Sequence, residues 1–201
     1  MHDRLRAAVL FAAGSGLRMG EVLGLTVDRV DFLRRTVTVD RQMITPPKGE
    51  PRFGPPKTKA SHRMVPLAPV TVDVLAAHVA EHPAGRDGLI STSSRGEPWR
   101  RGTFAEIIRD ARADAGLPES VTFHDLRHHF ASVLIAAGCS IKAVQEALGH
   151  ANASETLDTY SHLWPSDDDR IRDAVQPLHG HGRRPASSTD SVALAMQDPR
   201  P

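Results

Sequence analysis

Residues 122–138 read TFHDLRHHFASVLIAAG, and residues 140–149 read SIKAVQEALG. In the first stretch Leu126, Phe130, Val133, Leu134 and Ala137 recur at helical spacing, which predicts an amphipathic helix stopped by Gly138. The second stretch repeats that pattern with Ile141, Val144 and Leu148 and stops at Gly149. A third, shorter helix is predicted from Thr156 to Leu163, followed by an acidic turn over SDDDRIRDAV, residues 166–175. The last ordered third of the chain is therefore read as helical.

Working upstream, residues 103–116 (TFAEIIRDARADAG) predict a helix with Thr103 as N-cap and Glu106 completing a capping box. Residues 70–82 (VTVDVLAAHVAEH) predict another, with Val74, Leu75 and Val79 on one face. Leu89 and Ile90 suit a short buried strand or turn. Residues 2–32 give two helices, the first carrying Leu5, Val9 and Ala12, the second Val22, Leu23 and Leu25, with Gly14 and Gly16 as breakers between them. Only the middle of the chain departs from this helical period. RTVTVDRQM, residues 35–43, alternates Val37 and Val39 with polar residues and predicts a strand. A Pro- and Gly-rich basic connection then leads to Arg63-Met64-Val65-Pro66-Leu67, read as its antiparallel partner. The expected fold class is α+β, mainly helical with a small antiparallel sheet or hairpin.

The bulk composition is that of a globular protein: 201 residues, 40% hydrophobic and 24% charged, with 25 basic against 24 acidic side chains. A net charge of +1 does not by itself point to a nucleic-acid binder, although local clusters of Arg, Lys and His can still form a basic face. One cysteine, Cys139, rules out an intramolecular disulfide and reads as a small buried hydrophobe. No secretory signal and no long apolar run is visible, so a cytoplasmic protein without membrane attachment is expected. From about Gly180 onward apolar periodicity is lost, which predicts a disordered tail over residues 179–201.

Four short boxes gather cations and histidines. GSGLRMGEVLGL (residues 14–25) holds Arg18; PPKTKASHRMVPL (residues 55–67) holds Lys57 and Lys59; HDLRHHF (residues 124–130) holds His124 and Arg127; and LGH (residues 148–150) ends on His150. Tyr160, the chain's single tyrosine, follows ten residues later. At about 100° per residue His124 and Arg127 fall side by side at the edge of the apolar stripe, where a helix borders a cleft. Gly149 allows a sharp turn that can bring His150 back toward them.

Taken together, Arg18, Lys57, His124-x-x-Arg127, His150 and Tyr160 resemble the signature of the tyrosine recombinases, the phage integrase family. TFHDLRHHFAS, AVQEALGHANASETLDTYSHL and KTKASHRMVPL are similar to that family's boxes in order and spacing. The resemblance implies the recombinase catalytic-domain fold over residues 1–178, without the family's usual N-terminal core-binding domain. It implies double-stranded DNA as substrate and a 3′-phosphotyrosyl intermediate with a free 5′-hydroxyl. It also implies a homo-tetramer on synapsed DNA, with a monomer possible without DNA.

The residue types suit that chemistry. A phosphodiester under attack gathers negative charge on its non-bridging oxygens. Arg18 and Arg127 can clamp that charge, because a guanidinium is planar and permanently cationic. His124 and His150 can donate hydrogen bonds or move protons, and Lys57, in preference to Lys59, can protonate the leaving oxygen. Tyr160 is the expected nucleophile. No metal or other cofactor is called for. Simpler readings stand beside these: Arg18 as a helix residue paired with Glu21, His128 and His129 as structural or DNA-facing side chains, His162 as an exposed helical histidine. Three other activities compete: a truncated DNA-binding remnant, a type IB topoisomerase-like relaxing enzyme, and a metal-dependent hydrolase using His124 and His128.

Overall fold

Val37 and Val39 point inward from β2 (Thr36–Val39) and set the register of a three-stranded antiparallel sheet. β2 lies between β1 (Val30–Asp31) and β5 (Arg63–Pro66), with Val37 opposite Val65 and both fully buried. The strand expected over residues 35–43 ends at Val39, and its last two residues belong to a second antiparallel pair in the connection to β5, β3 (Gln42–Ile44) with β4 (Arg52–Gly54). Three-residue strands carry too short an alternation to be told from loop. The chain was analysed as a computed structural model, which describes residues 3–164 together with Asp168, Ile171, Arg172 and Val175. Those last four are helical where a turn was expected. The expected tail over residues 179–201 lies outside the described residues.

Within residues 3–164 the α-helices are α1 (Asp3–Ser15), α2 (Met19–Leu23), α3 (Pro69–Glu81), α4 (Arg101–Asp114), α5 (Asp125–Ala136), α6 (Ile141–Leu148) and α7 (Ala153–Tyr160). The α+β reading with a small antiparallel sheet is borne out. α1 packs against α3 and α5. Gly14 lies inside α1 rather than breaking it: a Cβ there would meet Thr71 Oγ1 of α3 at 2.3 Å, so the glycine serves close helix approach. Among the described residues no helix is long and apolar enough to cross a membrane.

Two sequence expectations shift. α4 begins at Arg101, not after a Thr103 cap, because its first turn is held from outside. The Arg101 N–H donates to Thr45 Oγ1 at 3.0 Å, and the Arg100 guanidinium donates to Gly49 O at 2.8 Å. The loop between β3 and β4 thus does what a local cap would do. In α5 the buried line is Arg127, Ala131 and Ile135, whereas Val133 and Ala137 are exposed. An apolar count places arginine at the edge of a stripe; here arginine is its centre.

The apolar interior has two parts. A large cluster runs through α1–α4 and the sheet, from Leu5 and Phe11 to Val65, Leu75 and Phe104. A small one joins α5, α6 and α7 through Ala131, Ile135, Val144, Leu148 and Tyr160. Cys139 is half-buried against the small cluster, and its carbonyl accepts from Trp164 Nε1 at 3.3 Å.

Candidate active site

Arg18 stands at the N-cap of α2, with φ −69° and ψ 153°. Its N–H donates to Glu21 Oε2 at 2.9 Å, so Glu21 closes the first turn of the helix. The Arg18 guanidinium donates to Glu21 Oε1 at 3.2 Å and to Ser61 Oγ at 3.3 Å. The simple pairing of Arg18 with Glu21 is therefore real. It is one part of a larger network.

Arg63 on β5 grips the same carboxylate with both terminal nitrogens, at 2.9 Å and 3.2 Å. The side chains of Arg63 and Glu21 are 5% and 2% exposed, which makes this a buried bidentate pair. Burial pushes the Glu21 carboxyl up, but the hydrogen bonds and charge of Arg63, with those of Arg18, outweigh it and hold the carboxyl below its usual range. Arg63 was not singled out from the sequence. The signal was present: it lies two residues before buried Val65, on the same face of a period-2 strand.

Asp125 starts α5 by accepting from the N–H and the hydroxyl of Thr122, both at 2.7 Å, and these bonds hold its carboxyl low. Two residues on, Arg127 enters the interior at 2% exposure. It donates to Gly16 O at 2.7 Å and Leu148 O at 2.6 Å. Arg63 Nε likewise donates to Ala147 O at 2.8 Å. The two guanidiniums thus satisfy carbonyls at the C-terminal end of α6, where the helix leaves acceptors unpaired and its dipole favours cations. Burial, then the nearby charges of Arg18 and Arg63, bring the Arg127 pKa down to about 9. Arg127, expected at the edge of the apolar stripe beside a cleft, is therefore buried inside the domain.

Past α6 the chain turns at Gly149, whose φ is +66°. A Cβ there would stand 3.0 Å from Arg63 Cδ and 3.1 Å from Ala60 O, so this turn needs glycine on two counts. The next residue, His150, is buried and its Nδ1 lies 2.8 Å from Thr156 Oγ1. Burial, then Arg127, lowers its pKa to about 4, so the ring is neutral at neutral pH. Asn152 caps α7 by accepting from the Glu155 N–H at 3.0 Å, and α7 ends on Tyr160.

Tyr160 is 4% exposed. Burial raises its phenol pKa, and Arg127 partly opposes this. Its hydroxyl lies 2.6 Å from Nδ1 of His128. The His128 ring in turn meets the His124 ring edge-on, centroids 4.8 Å apart. His128, expected to be structural or DNA-facing, instead meets both Tyr160 and His124, and its spacing of i+4 from His124 is the sequence sign that the two histidines share a face.

His124, at the N-cap of α5, is exposed and opens on a cleft of about 460 Å³. Arg18, Lys57, Arg101, Gln42 and Phe123 line the same cleft. Burial of part of its ring, then His128, Arg127 and Arg18, lowers the His124 pKa. Of the six expected residues, the structure brings Arg18, Lys57 and His124 to one cationic cleft. Arg127 and His150 lie inside the domain, and Tyr160 is linked to the cleft through two imidazoles. Lys59, Lys57's competitor, is exposed at the start of a 3-10 turn over Lys59–Ser61. Among the described residues no group of three or more His, Cys, Asp and Glu side chains is placed to hold a metal ion.

The model of the phage integrase family matches residues 1–166. A XerC-like tyrosine recombinase of Caldanaerobacter subterraneus subsp. tengcongensis is 32% identical over 182 residues, covering 81% of this chain and 46% of the relative. Tyrosine recombinase XerC of Nitrobacter winogradskyi is 33% identical over 175 residues, covering 86% of this chain and 49% of the relative. The chain thus spans about half the length of these curated relatives. In fold it is similar to the Tn1549 transposon integrase solved with a circular intermediate DNA. The TM-score is 0.72 at 23% identity, over 86% of this chain and 58% of that one.

Proposed function

The chain belongs to the phage integrase family, and on that premise we propose that it cuts and rejoins DNA at specific sites through a covalent bond to Tyr160. The observation that carries this reading is the placement of the chain's one tyrosine two rings away from a cleft lined by Arg18, Lys57 and His124. Residues 1–178 act as the catalytic domain, and double-stranded DNA is the partner.

A DNA phosphate enters the cleft between Arg18 and His124. Arg18 neutralises its non-bridging oxygens, and its orientation is kept by Glu21 and Ser61. Arg127, itself buried, adds positive potential. The Tyr160 oxygen attacks phosphorus in line with the leaving 5′-oxygen. Lys57, exposed on its loop beside the cleft, supplies the proton that the 5′-oxygen needs. His150 holds Thr156 through Nδ1 and faces the Glu155 carboxylate through Nε2, which ties the turn after α6 to α7, the helix that carries Tyr160. The 3′-phosphotyrosyl bond retains the phosphodiester's energy, so a 5′-hydroxyl from another strand rejoins the DNA. Four protomers on two synapsed sites complete the exchange.

The test uses nicked duplexes randomised around the nick, so that the short leaving fragment diffuses away and any adduct is trapped. The 201-residue chain is expected to yield a covalent protein–DNA band on a denaturing gel, and Tyr160→Phe to yield none. An adduct of equal strength from Tyr160→Phe sinks the reading. Salt-sensitive DNA binding without any adduct points instead to a DNA-binding remnant.

A further inference from the structure

We propose that His128 is a further catalytic residue: its Nδ1 accepts the phenolic proton as Tyr160 attacks the phosphate. The inference rests on the reading of Tyr160 as nucleophile. His128 Nδ1 is 2.6 Å from the Tyr160 hydroxyl, within the range for direct proton transfer. A phenol O–H in that position donates, so Nδ1 carries the lone pair and Nε2 the hydrogen.

The other histidines of the site are placed differently. His150 spends Nδ1 on Thr156, and its Nε2 is 3.6 Å from the Glu155 carboxylate. His124 contacts the His128 ring rather than the phenol, and it faces the cleft. His128 is half-buried, and its ring meets Tyr160 edge-on with centroids 5.6 Å apart, so its plane is held by rings on both sides. The phenol is buried and resists ionising before the phosphate arrives, so it needs an acceptor at the moment of attack rather than a free phenolate beforehand.

The step balances. The bond from the Tyr160 oxygen to phosphorus forms and the bond from phosphorus to the 5′-oxygen breaks. The phenolic proton passes to Nδ1, giving imidazolium, and the proton from Lys57 passes to the 5′-oxygen. Rejoining runs in reverse, with His128 returning its proton to the departing phenol. His124 and Asp125 on α5 and Tyr160 on α7 are the titratable neighbours that meet or act on the His128 ring.

The experiment compares the wild-type 201-residue chain with His128→Asn and His128→Ala on the nicked, randomised duplexes. Asparagine keeps an acceptor near the position of Nδ1 but cannot take a proton. The expected result is adduct formation about 100-fold slower in His128→Asn, consistent with the usual range for general-base catalysis. Because Tyr160 is the only tyrosine, its ionisation can be followed by absorbance near 295 nm. The midpoint is expected to fall in His128→Ala and to stay near wild type in His128→Asn. A His128→Asn rate equal to wild type overturns proton acceptance while leaving Tyr160 as nucleophile. An unchanged phenol midpoint in His128→Ala overturns the contact itself. No adduct from the wild-type protein overturns the nucleophile reading, and the role of His128 with it.

Discussion

The cations and the nucleophile of this site are held in two differently built parts of the molecule. Arg18, Glu21 and Arg63 sit against the large apolar cluster, which has twenty buried members, and are cross-linked by a buried bidentate pair. Tyr160 belongs to a cluster of five, at the end of an eight-residue helix, and its hydroxyl is held by His128. Fixed charges aimed at a reacting phosphate gain most from rigidity, because they then need no reorganisation when charge develops. A nucleophile that must reach, bond and release gains from a lighter attachment. The difference in packing fits that division.

The strongest way to break this contrast is to cut the buried pair. Arg63→Met leaves Glu21 charged and short of its main partner, removes the bond to Ala147 O, and should lower stability by about 3–5 kcal/mol. Urea unfolding measures this. The double change Glu21→Leu with Arg63→Met should recover much of the loss, since two apolar side chains leave no buried charge behind. A single-variant loss below about 1 kcal/mol would mean that the cationic half is not rigidly tied.

Those two residues also mark how far the sequence could be read. The helices around residues 122–163 were legible because their apolar spacing is regular, and the β2–β5 pairing because Val37, Val39 and Val65 alternate. Arg127 was found as a residue but misplaced. Its burial depends on carbonyls from Gly16 and Leu148, 111 and 21 positions away, which no local pattern encodes. The same holds for α4, whose cap comes from Thr45. Side chains whose partners are distant in sequence can be named from a motif, but their surroundings become visible only in the fold.

A smaller effect sharpens the comparison on the tyrosine side. His150 is neutral in the folded protein at neutral pH, with its pKa lowered to about 4 by burial, then by Arg127. In the unfolded chain it titrates near 6.5. Between those values the unfolded state binds the extra proton, so its contribution is present above about pH 6.5 and is lost as pH falls toward 4. The expected loss is on the order of 1–3 kcal/mol. His78 and His124 are lowered too and add in the same direction. Comparing wild type with His150→Asn at pH 7 and pH 5 isolates the His150 share. Equal pH dependence in the two proteins would show that the α6–α7 turn does not rest on a neutral imidazole.

The smallest expected effect concerns the seam where the two parts touch. Gly138 and Gly149 both end helices at positive φ, +80° and +66°. A Cβ at Gly138 meets nothing within 4 Å, whereas one at Gly149 presses on Arg63 and on Ala60 O. Gly138→Ala should therefore cost about 1 kcal/mol, from backbone conformation alone. Gly149→Ala should cost about 1 kcal/mol more, from crowding at a packed contact. The excess should shrink in an Arg63→Met background, because that change removes the guanidinium and loosens one of the two neighbours while the Ala60 carbonyl stays. A double-mutant cycle by urea unfolding reads that coupling directly. Zero coupling would mean that Ala60 alone sets the demand for glycine at 149, and that the seam is made by backbone rather than by the arginine that ties β5 to α6.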